Sequence, residues 1–336
     1  MRRDNVIVVV ALNPALDVTH HMDRVDWAGV NRPSGVRAEP GGKGLNVART
    51  LRLLGADVLV LGLLGGSTGD AVRSALAASG VAAAFTDIAG ETRRTFTVVD
   101  TGRGEVALFN EPGPPVSAAE FERLRAAYRR ALAGCDAVVL SGSLPGVPAD
   151  AYADLIRLAA ADGVPVVLDT SGEALRRGAA AGPAVVKPNL SELEATVGRA
   201  VPWGGPADHS AVSGAAAELR SHGADAVVVS LGADGLLAVT GDGTWHAAPA
   251  RAVAGNPTGA GDAAVAGLAF GLASGRPWPQ RLRESAALGA AAVAAPAAGE
   301  VRLADYERAL RDTAVRDIKA RGTEARGTEV SGRGRS

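Results

Sequence analysis

The chain has 336 residues, of which 47% are apolar and only 4% aromatic, and its formal net charge is −1. A near-neutral chain with few aromatic side chains offers neither a basic field for nucleic acid nor a surface on which bases stack. A single cysteine, Cys135, excludes an internal disulfide and a cysteine-rich metal cluster.

The N-terminal apolar run, 6–12, follows basic residues but lacks a small-residue cleavage site, so it predicts a buried strand and not a signal peptide. No run reaches the roughly 20 apolar residues of a membrane helix. We therefore expect a soluble, cytoplasmic protein with no membrane or nucleic-acid partner, long enough for one large α/β domain or two ordinary ones.

Short β-branched runs alternate with alanine-rich amphipathic segments, which is typical of βαβ units around a mostly parallel sheet. The predicted strands are 6–12, 57–63, 137–140, 164–169, 184–187 and 226–230. The predicted helices are 44–54, 69–79, 118–133, 149–161 and 213–222, followed by one from Asp262 and one near 282–295.

Two segments interrupt this alternation. Residues 13–40 are polar and irregular, and the stretch after Thr92 alternates across a Thr-Gly-Arg-Gly turn, which predicts a hairpin of 92–99 with 105–110. An antiparallel patch in such a chain is often a lid over the site or a dimer surface. The Gly/Arg/Glu-rich segment 316–336 predicts a disordered tail.

The first candidate loop is "EPGGKGLNVARTL", where Gly41 and Gly42 allow close backbone approach and Lys43 can reach a phosphate. Asn46 lies in the first turn of the helix that follows. A tight strand–helix turn is the alternative interpretation. The loop matches neither a dinucleotide fingerprint nor the Walker pattern, so a phosphotransferase here is not of the P-loop class.

The second is "GNPTGAGD", in which the amides of 258–261 would form a nest for an anion at a helix N-terminus. Asp262 cannot bind phosphate directly, but it could take a proton from a hydroxyl lying between it and that phosphate. The alternative is that Asp262 is simply a helix cap, which by itself is the stronger interpretation.

The third is "VVKPNLSELE", where Asn189 and Glu192 lie three residues apart and could hold Mg²⁺ or form a capping box. In "VVVSLGADG", the residues Ser230, Gly232 and Gly235 indicate either a nucleotide-edge loop or a simple hairpin. "LDTSGEAL" and "LSGSLPG" also place Ser, Thr and Gly after buried strands, at the sheet edge where ligands bind.

These motifs, with "LNPALD" and "NEPGP", resemble in order those of the ribokinase-like, phosphofructokinase B-type carbohydrate kinases over roughly residues 6–300. They are most similar to the hexose-phosphate branch, which includes 1-phosphofructokinase and tagatose-6-phosphate kinase. The resemblance implies a three-layer αβα fold over 1–315 with a small β lid, formed by about 13–40 and 92–112 and often a dimer clasp.

The resemblance also implies roles for individual residues. Asp262 would be the base and Gly259, Ala260 and Gly261 the anion hole. The sugar would be held by Asp17, Gly41, Gly42 and Asn46, and its phosphate by Lys43 and Arg93, with Ser143 as a further substrate-binding candidate. Lys187, Asn189, Ser230, Gly232 and Gly235 would line the ATP site, and Asn189 with Glu192 would organise Mg²⁺.

Two departures from the family pattern stand out. Asn256-Pro257 precedes the anion hole where the family usually has Asp-Thr, and Thr95 replaces an Asn on the lid strand. The expected activity is ATP-dependent phosphorylation of a ketohexose phosphate, with fructose 1-phosphate as the leading candidate. Fructose 6-phosphate and tagatose 6-phosphate are the alternatives, followed by an unphosphorylated sugar or nucleoside, or a non-catalytic sugar-phosphate sensor.

Overall fold

The computed structural model describes residues 5–144, 146–295, 297 and 299–318. Its strands are β1 Val6–Ala11, β2 Ala15–Met22, β3 Gly35–Gly41, β4 Asp57–Leu64, β5 Ala82–Asp87, β6 Arg93–Asp100, β7 Glu105–Asn110, β8 Ala137–Ser141, β9 Val166–Asp169, β10 Val185–Val186, β11 Val227–Ser230, β12 Leu236–Val239, β13 Thr244–Pro249 and β14 Thr313–Asp317. Its helices are α1 Lys43–Leu53, α2 Gly66–Ala78, α3 Ala118–Leu132, α4 Ala151–Ala161, α5 Gly172–Ala179, α6 Leu190–Val197, α7 Ser210–Ser221, α8 Ala260–Ala273, α9 Trp278–Ala294 and α10 Leu303–Asp312.

The main sheet is mostly parallel, as predicted. Its strand order is β14-β13-β12-β11-β10-β9-β8-β1-β4-β5. Neighbours from β11 to β5 are parallel, and β12, β13 and β14 continue the sheet in antiparallel pairs. All six predicted strands are present, although β10 is shorter than predicted.

Helices cover both faces of this sheet, because its central strands alternate their buried side chains between two cores. Val8 and Val10 of β1 pack in the core shared with α3, α4 and α7. Ile7 and Val9 of the same strand pack in the core shared with α1, α8 and α9. A strand that is apolar on both faces must be covered on both, and the predicted three-layer αβα fold is confirmed.

A separate four-stranded sheet, with the order β3-β2-β6-β7, forms the small second layer that the sequence predicted. The β6–β7 hairpin was expected. The irregular structure expected over 13–40 was wrong for Ala15–Met22 and Gly35–Gly41, which form β2 and β3, whereas 23–34 are irregular as predicted. Strand β2 pairs in parallel with β6, which places Asp17 opposite Thr95. Local sequence does not reveal a pairing between segments about 80 residues apart.

The C-terminal edge of the main sheet extends past the predicted boundary at residue 315. Arg316 and Asp317 belong to β14, where they pair with His246 and Trp245 of β13. The rest of the predicted tail, 319–336, lies outside the described residues. Among the described helices, none has the length and apolar character required to cross a membrane.

Candidate active site

A cavity of about 1060 Å³ lies between the four-stranded sheet β3-β2-β6-β7, called the lid sheet from here on, and the carboxyl ends of the parallel strands of the main sheet. In open α/β sheets this edge is where ligands bind, because the loops after successive strands meet there. The cavity is lined by every predicted site residue except Gly41: Asp17, Gly42, Lys43, Asn46, Arg93, Ser143, Lys187, Asn189, Glu192, Ser230, Gly232, Gly235, Gly259, Ala260, Gly261 and Asp262.

Asp262 is the third residue of α8 and does not cap it. The cap position is occupied by Gly259 at φ 88°, a conformation that favours glycine, and among the described residues no side chain forms a capping hydrogen bond there. The Asp262 side chain points into the cavity wall, where its Oδ2 accepts a hydrogen bond of 2.8 Å from Asn46 Nδ2. The helix-cap hypothesis is therefore wrong, and the carboxylate is available for chemistry.

The environment of Asp262 makes its carboxylate a stronger base than usual. Burial, together with the nearby Asp169 carboxylate, raises the pKa of Asp262 to about 6, while Lys43, the Asn46 hydrogen bond and Lys187 oppose that rise. A base is most effective when its pKa lies just below the working pH, because it is then ionised and still accepts a proton readily.

Asp169 is the centre of a charge cluster beside Asp262. Its Oδ1 lies 3.3 Å from Lys187 Nζ and its Oδ2 lies 3.3 Å from Lys43 Nζ. Burial alone would raise the pKa of Asp169, but the two ammonium groups outweigh it and hold that pKa below its usual range. The Asp169 carboxylate in turn raises the pKa of Lys43, against the effect of burial. Both shifts favour the charged forms of Asp169 and Lys43.

This cluster changes the geometry expected for Lys43. Its Nζ lies among the carboxylates of Asp169, Glu192 and Asp262, with Glu192 Oε1 at 4.0 Å. Arg93 instead donates from the lid strand β6 to the carbonyls of Asn13 and Glu111. The two cations that were expected to share one phosphate thus face different groups.

The predicted anion nest is narrower than expected. The amide of Ala260 donates to Pro257 O at 3.1 Å and that of Thr258 donates to Asn256 Oδ1 at 2.9 Å, so neither is free for an anion. Within the described part of the chain, the amides of Gly259 and Gly261 have no such acceptor. The Asn-Pro departure therefore lies in a loop that is closed by its own hydrogen bonds.

Asp17 lies at the end of the cavity next to the four-stranded sheet, where the sequence predicted that the sugar binds. Thr95 Oγ1 donates to Asp17 Oδ1 at 2.5 Å, which fixes the carboxylate across the lid sheet. Gly41 lies directly beneath it, and a Cβ there would come within 1.9 Å of the carboxylate. Gly41 thus acts by leaving space, although it does not line the cavity. Further along, Asn13 Nδ2 donates to Ser143 Oγ at 2.9 Å.

At the opposite end, Asn189 and Glu192 form the capping box of α6. Glu192 N donates to Asn189 Oδ1 at 2.8 Å, and Asn189 N donates to Glu192 Oε2 at 2.9 Å. Asn189 also bridges to Ser230, which brings the two predicted nucleotide-site segments together. The chain then makes a 3₁₀ turn over Gly232–Asp234 before β12.

Two features of the cavity were missed in the sequence. Asp169 belongs to "LDTSGEAL", from which only the Ser, Thr and Gly residues were predicted to face a ligand, and its position at the end of β9 was the available signal. The cavity wall contributed by α9 (Ala286, Gly289, Ala290 and Val293) carries small and apolar side chains without any motif. Tertiary packing, chiefly against α8, brings that face of α9 to the cavity.

Comparison with known proteins supports the family resemblance that the sequence motifs indicated. Residues 10–303 match the model of the pfkB family carbohydrate kinases. The chain is 40% identical over 270 residues to a 1-phosphofructokinase of Xanthomonas campestris pv. campestris, covering 79% of this chain and 83% of that protein. The tetrameric inhibited form of phosphofructokinase-2 from Escherichia coli superposes with a TM-score of 0.83 at 31% identity, covering 92% and 99% of the two chains. The same enzyme in complex with fructose-6-phosphate superposes with a TM-score of 0.80 at 30% identity, covering 92% and 98%. The chain belongs to the pfkB family of carbohydrate kinases.

Proposed function

We propose that this chain transfers the γ-phosphoryl group of ATP to the free primary hydroxyl of fructose 1-phosphate, with Asp262 as the general base. The observation that carries the proposal is the buried Asp262 carboxylate, which Asn46 holds beside two lysines at the N-terminus of α8. Phosphoryl transfer to an alcohol needs a proton acceptor for the nucleophile and positive charge for the transferring group.

In the proposed reaction, Asp262 takes the hydroxyl proton as the sugar oxygen bonds to the γ-phosphorus and the bond to ADP breaks. The amides of Gly259 and Gly261 and the positive end of α8 face the charge that spreads over the phosphoryl oxygens. We assign Lys43 to this transferring group, and not to the phosphate already on the substrate, because its Nζ lies among Asp169, Asp262 and Glu192.

We assign the existing phosphate of the substrate to Arg93 and Ser143 at the lid end of the cavity. A guanidinium binds phosphate through paired N–H donors, and a free sugar would leave that charge unused. Asp17, fixed by Thr95, supplies an acceptor for sugar hydroxyls. These contacts support a phosphorylated acceptor over an unphosphorylated sugar or a nucleoside.

ATP would bind along Lys187, Ser230, Gly232 and Gly235, with its base against the apolar face of α9. The oxygens of Asn189 and Glu192 suit Mg²⁺, which prefers hard oxygen ligands and retains several waters. The capping box already uses Asn189 Oδ1 and Glu192 Oε2, so the pair would contact the ion mainly through its waters. A bound Mg²⁺ would neutralise phosphate charge at this end of the cavity.

The test is a set of initial rates with fructose 1-phosphate, fructose 6-phosphate, tagatose 6-phosphate and fructose, with ADP release as the signal. We expect the highest kcat/KM with fructose 1-phosphate. The solved relative in complex with fructose-6-phosphate supports that sugar as the second candidate. Equal turnover of fructose would contradict the role of Arg93, and no ADP release with any sugar would indicate a sensor.

We also propose that the lid sheet pairs with a second copy of this chain. Leu108 lines the mouth of the cavity and yet is 54% exposed, and Val106 on the same face is 52% exposed. Apolar side chains left open beside a site are typical of an interface. Leu108→Glu should shift the mass in light scattering from dimer to monomer; a monomeric wild-type chain would contradict the proposal.

A further inference from the structure

Arg49 of α1 lines the cavity, although the sequence analysis gave it no role. It lies one helical turn after Asn46, a spacing that brings two side chains together on one helix face. Its guanidinium donates to Pro40 O at 2.8 Å and to Asn46 Oδ1 at 2.7 Å. Burial lowers the pKa of Arg49, but a guanidinium stays protonated in proteins.

The bond from Arg49 determines which way the Asn46 amide faces. An amide has nearly the same shape when its oxygen and nitrogen are exchanged, so shape alone leaves two orientations. Arg49 has only donors, so the atom it meets must be Oδ1. The Nδ2 group is then directed at Asp262 Oδ2, which accepts its hydrogen bond at 2.8 Å.

We propose that Arg49 is a positioning residue for Asp262, which acts by holding the Asn46 amide in the orientation that donates to the base. The proposal rests on the proposed role of Asp262 as the base. Without the guanidinium, the flipped amide, whose oxygen faces Asp262, becomes accessible when the Asp262 carboxyl group is protonated and can donate to that oxygen. Asp262 then loses the Asn46 Nδ2 donor, which both orients its Oδ2 and favours its ionised form.

Several charged groups surround the Arg49–Asn46 and Asn46–Asp262 hydrogen bonds. Arg49 faces the carboxylates of Glu39, Asp17 and Asp262 and the guanidinium of Arg37. Asp262 faces, besides Asn46, the carboxylate of Asp169 and the ammonium groups of Lys43 and Lys187. Because the Asn46 bond lowers the pKa of Asp262, its loss should raise that pKa further and move the acid limb of the kcat profile to higher pH.

The test is a double-mutant cycle of Arg49→Met and Asn46→Ala, with kcat measured against pH using saturating ATP and sugar phosphate. We expect Arg49→Met to lower kcat at neutral pH roughly tenfold and to move the acid limb to higher pH. In the Asn46→Ala background, Arg49→Met should move the limb no further, because its effect passes through the amide.

Arg49→Lys keeps the charge but not the fork that serves two acceptors. It should shift the limb in the same direction by a smaller amount, and it replaces Arg49→Met in the cycle if that variant does not fold. The matched control is Arg283→Met, since Arg283 also donates to two carbonyls, those of Thr313 and Leu310, but outside the cavity. Its acid limb should stay at the wild-type pH.

Two results would overturn the inference. The first is an unshifted acid limb in a folded Arg49 variant, which would leave Arg49 a purely structural role. The second is a further shift of full size in the Asn46→Ala background, which would mean that Arg49 acts directly through its charge. If Asp262→Asn retained activity, the base assignment would fail and the inference with it; an inactive Asp262→Asn with an unshifted Arg49 variant would overturn the inference alone.

Discussion

Replacing Asp262 with Asn should separate catalysis from stability. The substitution keeps the shape of the side chain and an acceptor for Asn46 Nδ2, but it removes the proton acceptor. Loss of a general base lowers kcat by roughly 10²–10⁴-fold, or about 3–5 kcal/mol of activation free energy. KM for both substrates should change little, since the substituted atom contacts the hydroxyl chiefly in the transition state.

The same variant should be more stable than the wild type. The pKa of Asp262 rises from 3.8 in an exposed chain to about 6 in the fold, with burial as the largest cause. Above pH 6 the ionised carboxylate therefore disfavours the folded state by about 3 kcal/mol. Asp262→Asn should raise the free energy of unfolding by up to that amount near neutral pH. This gain should decrease as pH falls through about 6 and should vanish below pH 3.8, where the wild-type carboxyl is protonated in both states.

The assays are ADP release with fructose 1-phosphate from about pH 5 to 9 and urea unfolding over the same range. Wild-type kcat should fall as pH drops through about 6, because Asp262 becomes protonated. Asp305→Asn is a matched control, since Asp305 is also the third residue of a helix, α10, but pairs with Arg308 away from the cavity. A kcat of Asp262→Asn within tenfold of wild type would refute the base assignment, and a loss of stability would refute the account of its burial.

Two further outcomes follow from the structure. Gly41→Ala should raise KM for fructose 1-phosphate roughly tenfold or more and leave KM for ATP unchanged, because a Cβ there would come within 1.9 Å of the Asp17 carboxylate. Gly35→Ala, on the same strand with nothing within 4 Å, is its control, and equal effects of the two would contradict the argument. Burial lowers the pKa of both His209 and His246 in the folded chain. As pH falls through about 6.5, the unfolded chain therefore binds protons at these two histidines before the folded chain does, and the free energy of unfolding decreases. The stability of a His209→Gln/His246→Gln variant, measured by urea unfolding, should improve relative to wild type below that pH; a pH-independent difference would contradict this.

The parts of the fold that could be predicted are those with local patterns. The buried strands and amphipathic helices carry periodicities that can be recognised without knowledge of tertiary contacts. The β6–β7 hairpin was predicted from its Thr-Gly-Arg-Gly turn. The pairing of β2 with β6, the entry of β14 into the main sheet and the short β10 depend on segments far apart in sequence. No local pattern carries that information.

The candidate site divides in the same way. The motifs singled out Asp262, the Gly41–Asn46 loop and the Asn189–Glu192 pair as candidates, because glycine, amide and carboxylate residues at these spacings suit only a few chemistries. The sequence left open whether Asp262 was a cap or a base, and whether Asn189 and Glu192 formed a box. The structure excludes the cap, because Gly259 occupies the cap position of α8, and it shows that the box is closed by two hydrogen bonds. The role of Asp262 as the base stays a prediction.

Residue types and their order thus determined the family of this protein and the side chains that its candidate site contains. The charges that surround Asp262 and the orientation of its side chain are properties of the folded state. Asp169 comes to lie between Lys43 and Lys187, and Arg49 meets Asn46 and, through it, Asp262. Burial in that arrangement raises the pKa of Asp262. The arrangement exists only when four distant segments of the chain are packed against one another.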